Sequence, residues 1–120
     1  MYTQVAYALA VASATEAVSQ AVSVSGANAV GVDLTVINYA GSTLTVTLEG
    51  SNDLANWKEL DGTWSLPASA VGYAQDQYPD PAGATNTNQR IGYEYVRLRY
   101  SQAGTSVTSI VSAGINVFEA

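Results

Sequence analysis

Apolar and polar residues alternate along most of the 120-residue chain. The clearest runs are Val30 to Val36, in which every second residue is a large apolar one, and Leu44 to Leu48, in which threonines lie between the apolar residues. A period of two is typical of a strand with one buried and one solvent-facing side. Such runs recur at intervals of about ten residues with turn-forming residues between them. We therefore expect a single all-β domain over residues 1–120, an antiparallel β-sandwich or jelly-roll-like domain of about seven or eight strands.

The first twelve residues follow the same rule. Alanines occupy the even positions from 6 to 12, and larger residues occupy the odd ones: Val5, Tyr7, Leu9 and Val11. A helix is the alternative, because alanine favours helices, but the apolar stripe of that helix would run into Glu16. The run ends in Ala-Ser-Ala, which resembles a signal cleavage site, yet no positively charged residue precedes it. We expect residues 1–12 to form an N-terminal arm or edge strand, and not a signal that is cleaved.

The segment 66–90 shows no such period. It contains all three prolines and many Asp, Asn and Gly residues, which favours a long loop excursion. Loops of this length are usually functional or interfacial. Four side chains of the loop could supply oxygen ligands to calcium: Asp76, Asp80, Asn86 and Asn88. Their spacing matches no EF-hand loop, and Asp and Asn are expected in turns anyway, so we predict no metal site.

The chain has no histidine and no cysteine. The commonest general base, the commonest thiol nucleophile and the usual zinc, haem and iron–sulfur ligands are therefore missing. Carboxylate pairs for glycoside hydrolysis, such as Glu49 with Asp53 or Glu94, have no distinctive spacing. We expect a protein that is not an enzyme, with no catalytic residues and no cofactor.

Charged residues make up 12% of the chain, with 4 Lys+Arg against 10 Asp+Glu and a net charge of −6. Negative charge repels phosphate groups, so we expect no binding to nucleic acid or to an anionic membrane. Ser, Thr, Asn and Ala take the place of surface charges, which suits packing against other proteins because fixed charges are costly to desolvate. The composition favours a protein that is packed into a larger assembly or that works outside the cell.

One loop joins the end of a strand to a polar turn and a tryptophan. It reads LEGSNDLANW from Leu48 to Trp57, and its motif residues are Ser51, Asn52, Asp53, Asn56 and Trp57. Asn and Asp side chains can cap backbone amides in such a turn, and the tryptophan would cover the sheet edge. One interpretation is a structural turn with a core tryptophan, and the other is a ligand contact.

These motif residues resemble the S-x-D-x-x-N-W hairpin of discoidin-like, galactose-binding-type β-sandwiches. The run from Tyr95 to Leu98 is similar to a strand of the same domains. The phrase G-S-N-D…N-W also resembles small β-sandwich proteins of tailed-phage virions, among them accessory capsid and fibre proteins. The chain is shorter than a usual discoidin domain and lacks cysteines to clamp its termini. The virion resemblance implies a structural role, in which a sandwich docks on a protein lattice and its outward loops face solvent or a host.

Four residues of the C-terminal half fall on one face of a predicted strand: Tyr93, Tyr95, Arg97 and Arg99. Arg and Tyr are enriched at protein interfaces, and two of the four cations of the chain lie here. The alternative is a solvated face with cross-strand stacking. We predict an interface at these four residues and a further contact through Tyr7 and Leu9.

The resulting expectation is a non-enzymatic protein of the virion, assembled in the host cytoplasm, that decorates or cements a phage capsid as a homo-oligomer. Its partner would be the major capsid protein or another virion protein. One alternative is a carbohydrate-binding or host-recognition module, in which Trp57, Trp64 and the segment 66–90 form a platform for a glycan. Open indole rings would favour this module. Another alternative is a tail or fibre adaptor, which needs the same rigid sandwich.

Overall fold

The computed structural model describes residues 1–24, 26–60, 66–68, 70–78 and 91–119. All regular secondary structure in these ranges is β-strand. The ten strands are β1 (Tyr2–Ala12), β2 (Ala17–Val18), β3 (Val22–Ser23), β4 (Ala29–Asn38), β5 (Leu44–Ser51), β6 (Lys58–Glu59), β7 (Leu66–Ala68), β8 (Gly72–Tyr78), β9 (Tyr95–Gln102) and β10 (Thr108–Phe118).

The strands form two antiparallel sheets. Sheet A has the order β1-β10-β4-β8. Sheet B has β9 and β5 at its centre, with β2 and β3 together along the free side of β9 and β6 and β7 together along the free side of β5. Each short pair therefore occupies one strand position. Numbered along the chain, the positions follow 1-8-3-6 in sheet A and 2-7-4-5 in sheet B, which is jelly-roll connectivity. The predicted all-β sandwich is confirmed.

The hydrophobic core lies between the sheets. Alternate residues of the central strands point into it, as the sequence pattern predicts, because burying one side of each strand removes apolar surface from water. The fully buried large side chains of these strands include Val30, Val32, Leu34, Val36, Leu44, Val46, Leu48, Val96, Leu98 and Ile115. The residues between them point to the outer faces of the two sheets.

The N-terminal segment forms β1, an edge strand of sheet A. Its pairing with β10 shifts register between Gln4 and Ala6 and again between Ala6 and Leu9. Within the second shift, Ala8 has a φ of 48°, in the left-handed region, and its amide N–H donates a hydrogen bond to the hydroxyl of Ser112 at 3.0 Å. These are β-bulges, which insert an extra residue and turn the following side chains.

The bulges change which β1 side chains face the core. Ala6 is buried, whereas Tyr7 is 81% exposed. The regular alternation predicted for Tyr7, Leu9 and Val11 on one face is therefore wrong for Tyr7. Leu9 packs partly against the core and Val11 is fully buried.

Two strands lie in the segment 66–90, which the sequence pattern predicts as a loop. β7 pairs with β5, and β8 pairs with β4 over its whole length from Gly72 to Tyr78. The prediction of a loop is wrong here because β8 is an edge strand with a polar outer side and with Asp76 among its inward positions. Residues 79–90, with the calcium candidates Asp80, Asn86 and Asn88, lie outside the described residues.

Candidate functional site

The outer face of sheet B carries a cluster of paired charges at its centre. Glu49 of β5 lies directly opposite Arg97 of β9, with Arg99 two residues further along the same strand. One carboxylate oxygen, Oε1, accepts a hydrogen bond from Arg97 Nε at 2.8 Å, and Oε2 accepts one from Arg99 Nε at 2.8 Å. Arg99 also lies 3.6 Å from the exposed carboxylate of Glu16. The carboxylate of Glu49 thus bridges two arginines that would otherwise repel each other.

The two arginines keep Glu49 ionised. Burial alone would raise its pKa, but the hydrogen bonds from Arg99 and Arg97 outweigh burial and hold the pKa below its ordinary value. The same contact raises the pKa of Arg99. A general acid at neutral pH requires a raised carboxyl pKa, so Glu49 is arranged to position arginines and not to donate a proton.

Trp57 lies over this charge pair. The guanidinium carbon of Arg97 is 4.1 Å from the centroid of the Trp57 ring, a cation–π contact. The indole N–H donates a hydrogen bond to the carbonyl of Leu54 at 3.2 Å. One face of the ring is therefore covered and its polar group is used within the loop. We refer to Glu49, Arg97, Arg99 and Trp57 as the arginine cluster.

The motif hairpin is organised by its own side chains. Ser51 Oγ accepts hydrogen bonds from the amides of Asp53 and Leu54 at 3.2 and 2.9 Å. Asp53 Oδ1 accepts from the amides of Ala55 and Asn56 at 2.9 and 2.8 Å, and Oδ2 accepts from Asn56 Nδ2 at 2.7 Å. The amides of Asn56 and Ala55 hold the Asp53 pKa far below its ordinary range. This geometry supports the structural interpretation of the hairpin, because its acceptors are committed to the turn.

The remaining motif residue ties the hairpin to the chain that enters β9. Asn52 Oδ1 accepts a hydrogen bond from the amide of Glu94 at 2.9 Å. The neighbouring Tyr93 lies before the start of β9, and its ring occupies the place where a Cβ at Gly50 would be, 2.6 Å from Tyr93 Cδ2. Tyr93 therefore packs against the core and does not share a face with Tyr95, contrary to the strand predicted from alternation.

Of the six predicted interface residues, the structure brings three together on sheet B: Tyr95, Arg97 and Arg99. Their half-buried side chains flank Glu49, which the sequence pattern places on the polar side of β5 without indicating its partners. Nothing in the sequence shows that β5 pairs with β9. The two positive charges of the predicted interface are therefore already paired, Arg97 with Glu49 and Arg99 with both Glu49 and Glu16.

Tyr7 and Leu9 lie on sheet A, away from the arginine cluster. Sheet A and its adjoining residues also hold most of the exposed large apolar side chains in the described ranges: Met1, Tyr2, Tyr7, Ile37, Val71 and Tyr73. Val18 and Leu54 are the exposed ones elsewhere in those ranges. The outer surface of sheet A is therefore the more apolar of the two.

Within the described residues, no three His, Cys, Asp or Glu side chains are grouped so that they could hold a metal ion. Asp76 instead accepts a hydrogen bond from the amide of Gln77 at 2.7 Å. The same part of the chain has no helix that is long and apolar enough to span a bilayer. Trp64, the second indole of the predicted glycan platform, lies outside it.

Comparisons with protein-family models and with curated proteins give no match. The resemblance to discoidin-like domains rests on the hairpin and on the Tyr95–Leu98 strand, and the resemblance to virion sandwiches rests on the hairpin alone.

Proposed function

We propose that the protein is a non-enzymatic accessory protein of a phage virion that decorates or cements the capsid as a homo-oligomer. The observation that carries this proposal is strand β1. It is an edge strand of eleven residues, Tyr2–Ala12, with no charged residue and no proline.

An edge strand offers unpaired N–H and C=O groups to any other strand. Proteins usually protect such edges with lysines, prolines or inward-pointing charges. The other edge of sheet A, β8, has Asp76 at an inward position. β1 has no charge of this kind, and its two bulges are the protection it does have. This asymmetry favours β1 as the edge that joins a second copy of the chain.

Tyr7 adds contact area beside that edge. It is 81% exposed, and tyrosine loses little conformational entropy when it is buried at an interface. A second copy that pairs with β1 would cover this ring and the alanines around it. The contact would use the backbone for affinity and Tyr7 for register.

The assignment to a virion draws on three further features. Jelly rolls are common in viral coat proteins and lectins, an analogy at the level of the fold alone. The hairpin resembles that of virion sandwiches. On sheet B, Arg97 and Arg99 are already paired with Glu49, and Arg99 also with Glu16, so a lattice protein could cover this face at a lower desolvation cost than two unpaired arginines would impose. A tail or fibre adaptor would use the same surfaces.

The homo-oligomer is tested by native mass spectrometry of three proteins. We expect the wild type to form an oligomer at micromolar concentration and Tyr7→Lys to weaken it by at least about tenfold. Tyr73→Lys is the matched control, since Tyr73 is 66% exposed on the other edge strand, and it should assemble as the wild type does. A wild-type protein that is monomeric at every concentration would show that β1 does not join copies.

The virion assignment is tested on purified particles. Mass spectrometry should detect the protein in stoichiometric amounts, and cryo-electron microscopy should locate it on the capsid lattice. Density on the tail would replace capsid decoration with the adaptor function. Absence from particles that are otherwise complete would exclude both.

A further inference from the structure

A shallow trough crosses the outer face of sheet A, on the opposite side of the sandwich from the arginine cluster. Its volume is about 490 Å³, within the range of about 300–1,000 Å³ that is typical of small-molecule sites. The residues that define it are Tyr2, Gly31, Asp33, Tyr73, Gln75 and Asn116.

Two exposed aromatic rings flank the trough. Tyr2 on β1 is 55% exposed and Tyr73 on β8 is 66% exposed. The Tyr2 hydroxyl donates a hydrogen bond to Asp33 Oδ1 at 3.1 Å, and its ring lies where a Cβ at Gly114 would be. The ring is thus held across the sheet in a fixed position. Rings held open in this way offer an apolar face and a polar edge to a ligand.

Gly31 lies beneath the trough and is itself buried. This glycine is the third residue of β4, where pairing with β10 and β8 is regular. A Cβ there would lie 3.8 Å from the nearest side-chain atoms, those of Gln75 and Phe118, so packing does not require a glycine. A glycine inside a strand weakens it and often marks a place where a ligand approaches the backbone closely.

The polar groups around the floor suit hydroxyl groups. The amides of Gln75 and Asn116 each offer donors and acceptors, and Asp33 offers acceptors. Asp33 is the single charged side chain among the described residues that line the trough, and no lysine or arginine is among them. An anionic ligand would be repelled there, whereas a neutral sugar could stack on Tyr2 or Tyr73 and exchange hydrogen bonds with the amides and the carboxylate.

We propose that this trough binds a neutral oligosaccharide. The site is separate from the motif hairpin, whose tryptophan is covered on one face by Arg97. Its test is also separate from the test of the proposed capsid function, because Tyr7 is not among the trough residues. On a virion, such a site would give the decorated surface an affinity for host glycans.

The test begins with an array of neutral and acidic glycans probed with the wild-type protein. We expect binding to neutral gluco-, galacto- or manno-oligosaccharides. Isothermal titration with the best neutral oligosaccharide then compares variants in solution, where avidity on a surface does not contribute. Tyr73→Ala, which removes one ring, and Gly31→Val, which fills the floor, should each weaken binding by at least about tenfold.

Tyr7→Ala is the matched control, because it removes an exposed tyrosine of the same sheet outside the trough, and it should bind as the wild type does. Circular dichroism checks that each variant is folded. If Gly31→Val does not fold, Gly31→Ala replaces it. The proposal is overturned if the folded wild type binds no neutral glycan, if it binds acidic glycans alone, or if Trp57→Ala abolishes binding while Tyr73→Ala does not. None of these outcomes would alter the oligomer measured with Tyr7→Lys.

Discussion

The two outer faces of the sandwich use their side chains in different ways. On sheet B, Glu49 is paired with both Arg97 and Arg99, and the polar groups satisfy one another. On sheet A, the aromatic rings of Tyr2 and Tyr73 are exposed to solvent and flank a trough that lies above Gly31. The polar groups of one face pair with one another, while the other face leaves aromatic side chains exposed to solvent.

This difference separates stability from recognition. Paired charges between adjacent central strands fix the position of those strands and leave little to gain from a ligand. Exposed rings and a strand glycine contribute little to folding, and large apolar patches on a protein surface mark interaction sites. We therefore expect substitutions on sheet B to affect stability most and substitutions on sheet A to affect binding most.

The largest effect is expected from Glu49→Gln. The substitution keeps the shape of the side chain but removes the charge that two half-buried arginines share, so Arg97 would lose its carboxylate partner and Arg99 would keep only the exposed Glu16. We expect a loss of about 2–3 kcal/mol in the free energy of unfolding, below the values for fully buried pairs because the arginines are partly exposed. Urea unfolding at pH 7 measures it.

Glu16→Gln is the control for this experiment. Glu16 also lies near Arg99, but at 3.6 Å and with 56% of its side chain exposed. An exposed pair of this kind contributes about 0.5 kcal/mol or less. Equal losses for the two variants would mean that the bridging geometry of Glu49 has no special role.

A smaller effect is expected from Asp53→Asn, which weakens the hairpin that places Trp57 over Arg97. The hydrogen bonds of the turn lower the pKa of Asp53 in the folded protein below its ordinary value of 3.8. The stability that they contribute is therefore present in full above about pH 5 and is lost as the pH falls below about 4. Wild type should be more stable than Asp53→Asn at pH 7, and the difference should shrink towards pH 3.

Thermal unfolding followed by circular dichroism between pH 7 and pH 3 measures this convergence. Lys58→Gln, a change in an exposed side chain just after the hairpin, is a suitable control and should leave the pH dependence of the wild type unchanged. A difference between wild type and Asp53→Asn that stays constant across the range would mean that ionisation of Asp53 does not stabilise the turn.

The alternation of apolar and polar residues predicted the central strands because each of them has one side in the core and one side facing solvent. The run from Val30 to Val36 is the clearest case, and it is the centre of sheet A. The sequence pattern did not predict β8, because an edge strand is stable with fewer apolar residues. Asp76 also interrupts the apolar pattern at one of its inward positions. The pattern did not predict the bulges of β1 either, because the hydrogen bond from the Ala8 amide goes to Ser112, which is far away in the chain.

The candidate sites were harder to predict than the strands. The sequence places Glu49 and Arg97 on polar sides of two strands, but these residues are 48 positions apart, and no local pattern states that the strands pair in this register. The trough on sheet A forms only when the four strands of the sheet are placed in their order, because Tyr2, Gly31 and Tyr73 lie on three different strands. The turn within the hairpin was predictable because the hydrogen bonds of Ser51 and Asp53 join residues within three positions of one another.

The smallest changes in the free energy of unfolding are expected from substitutions of two glycines of sheet A. These substitutions test directly whether the trough is there for folding or for binding. A Cβ at Gly31 meets ordinary contact distances, so Gly31→Ala should stabilise the protein by about 0.5 kcal/mol, since glycine inside a strand is unfavourable. A Cβ at Gly114 would displace the Tyr2 ring and its hydrogen bond to Asp33, so Gly114→Ala should bring no such gain. Urea unfolding of both variants decides the matter. If Gly31→Ala is destabilising, folding requires a glycine at this position. If it is stabilising, the glycine weakens the strand at the place where we propose that the ligand binds.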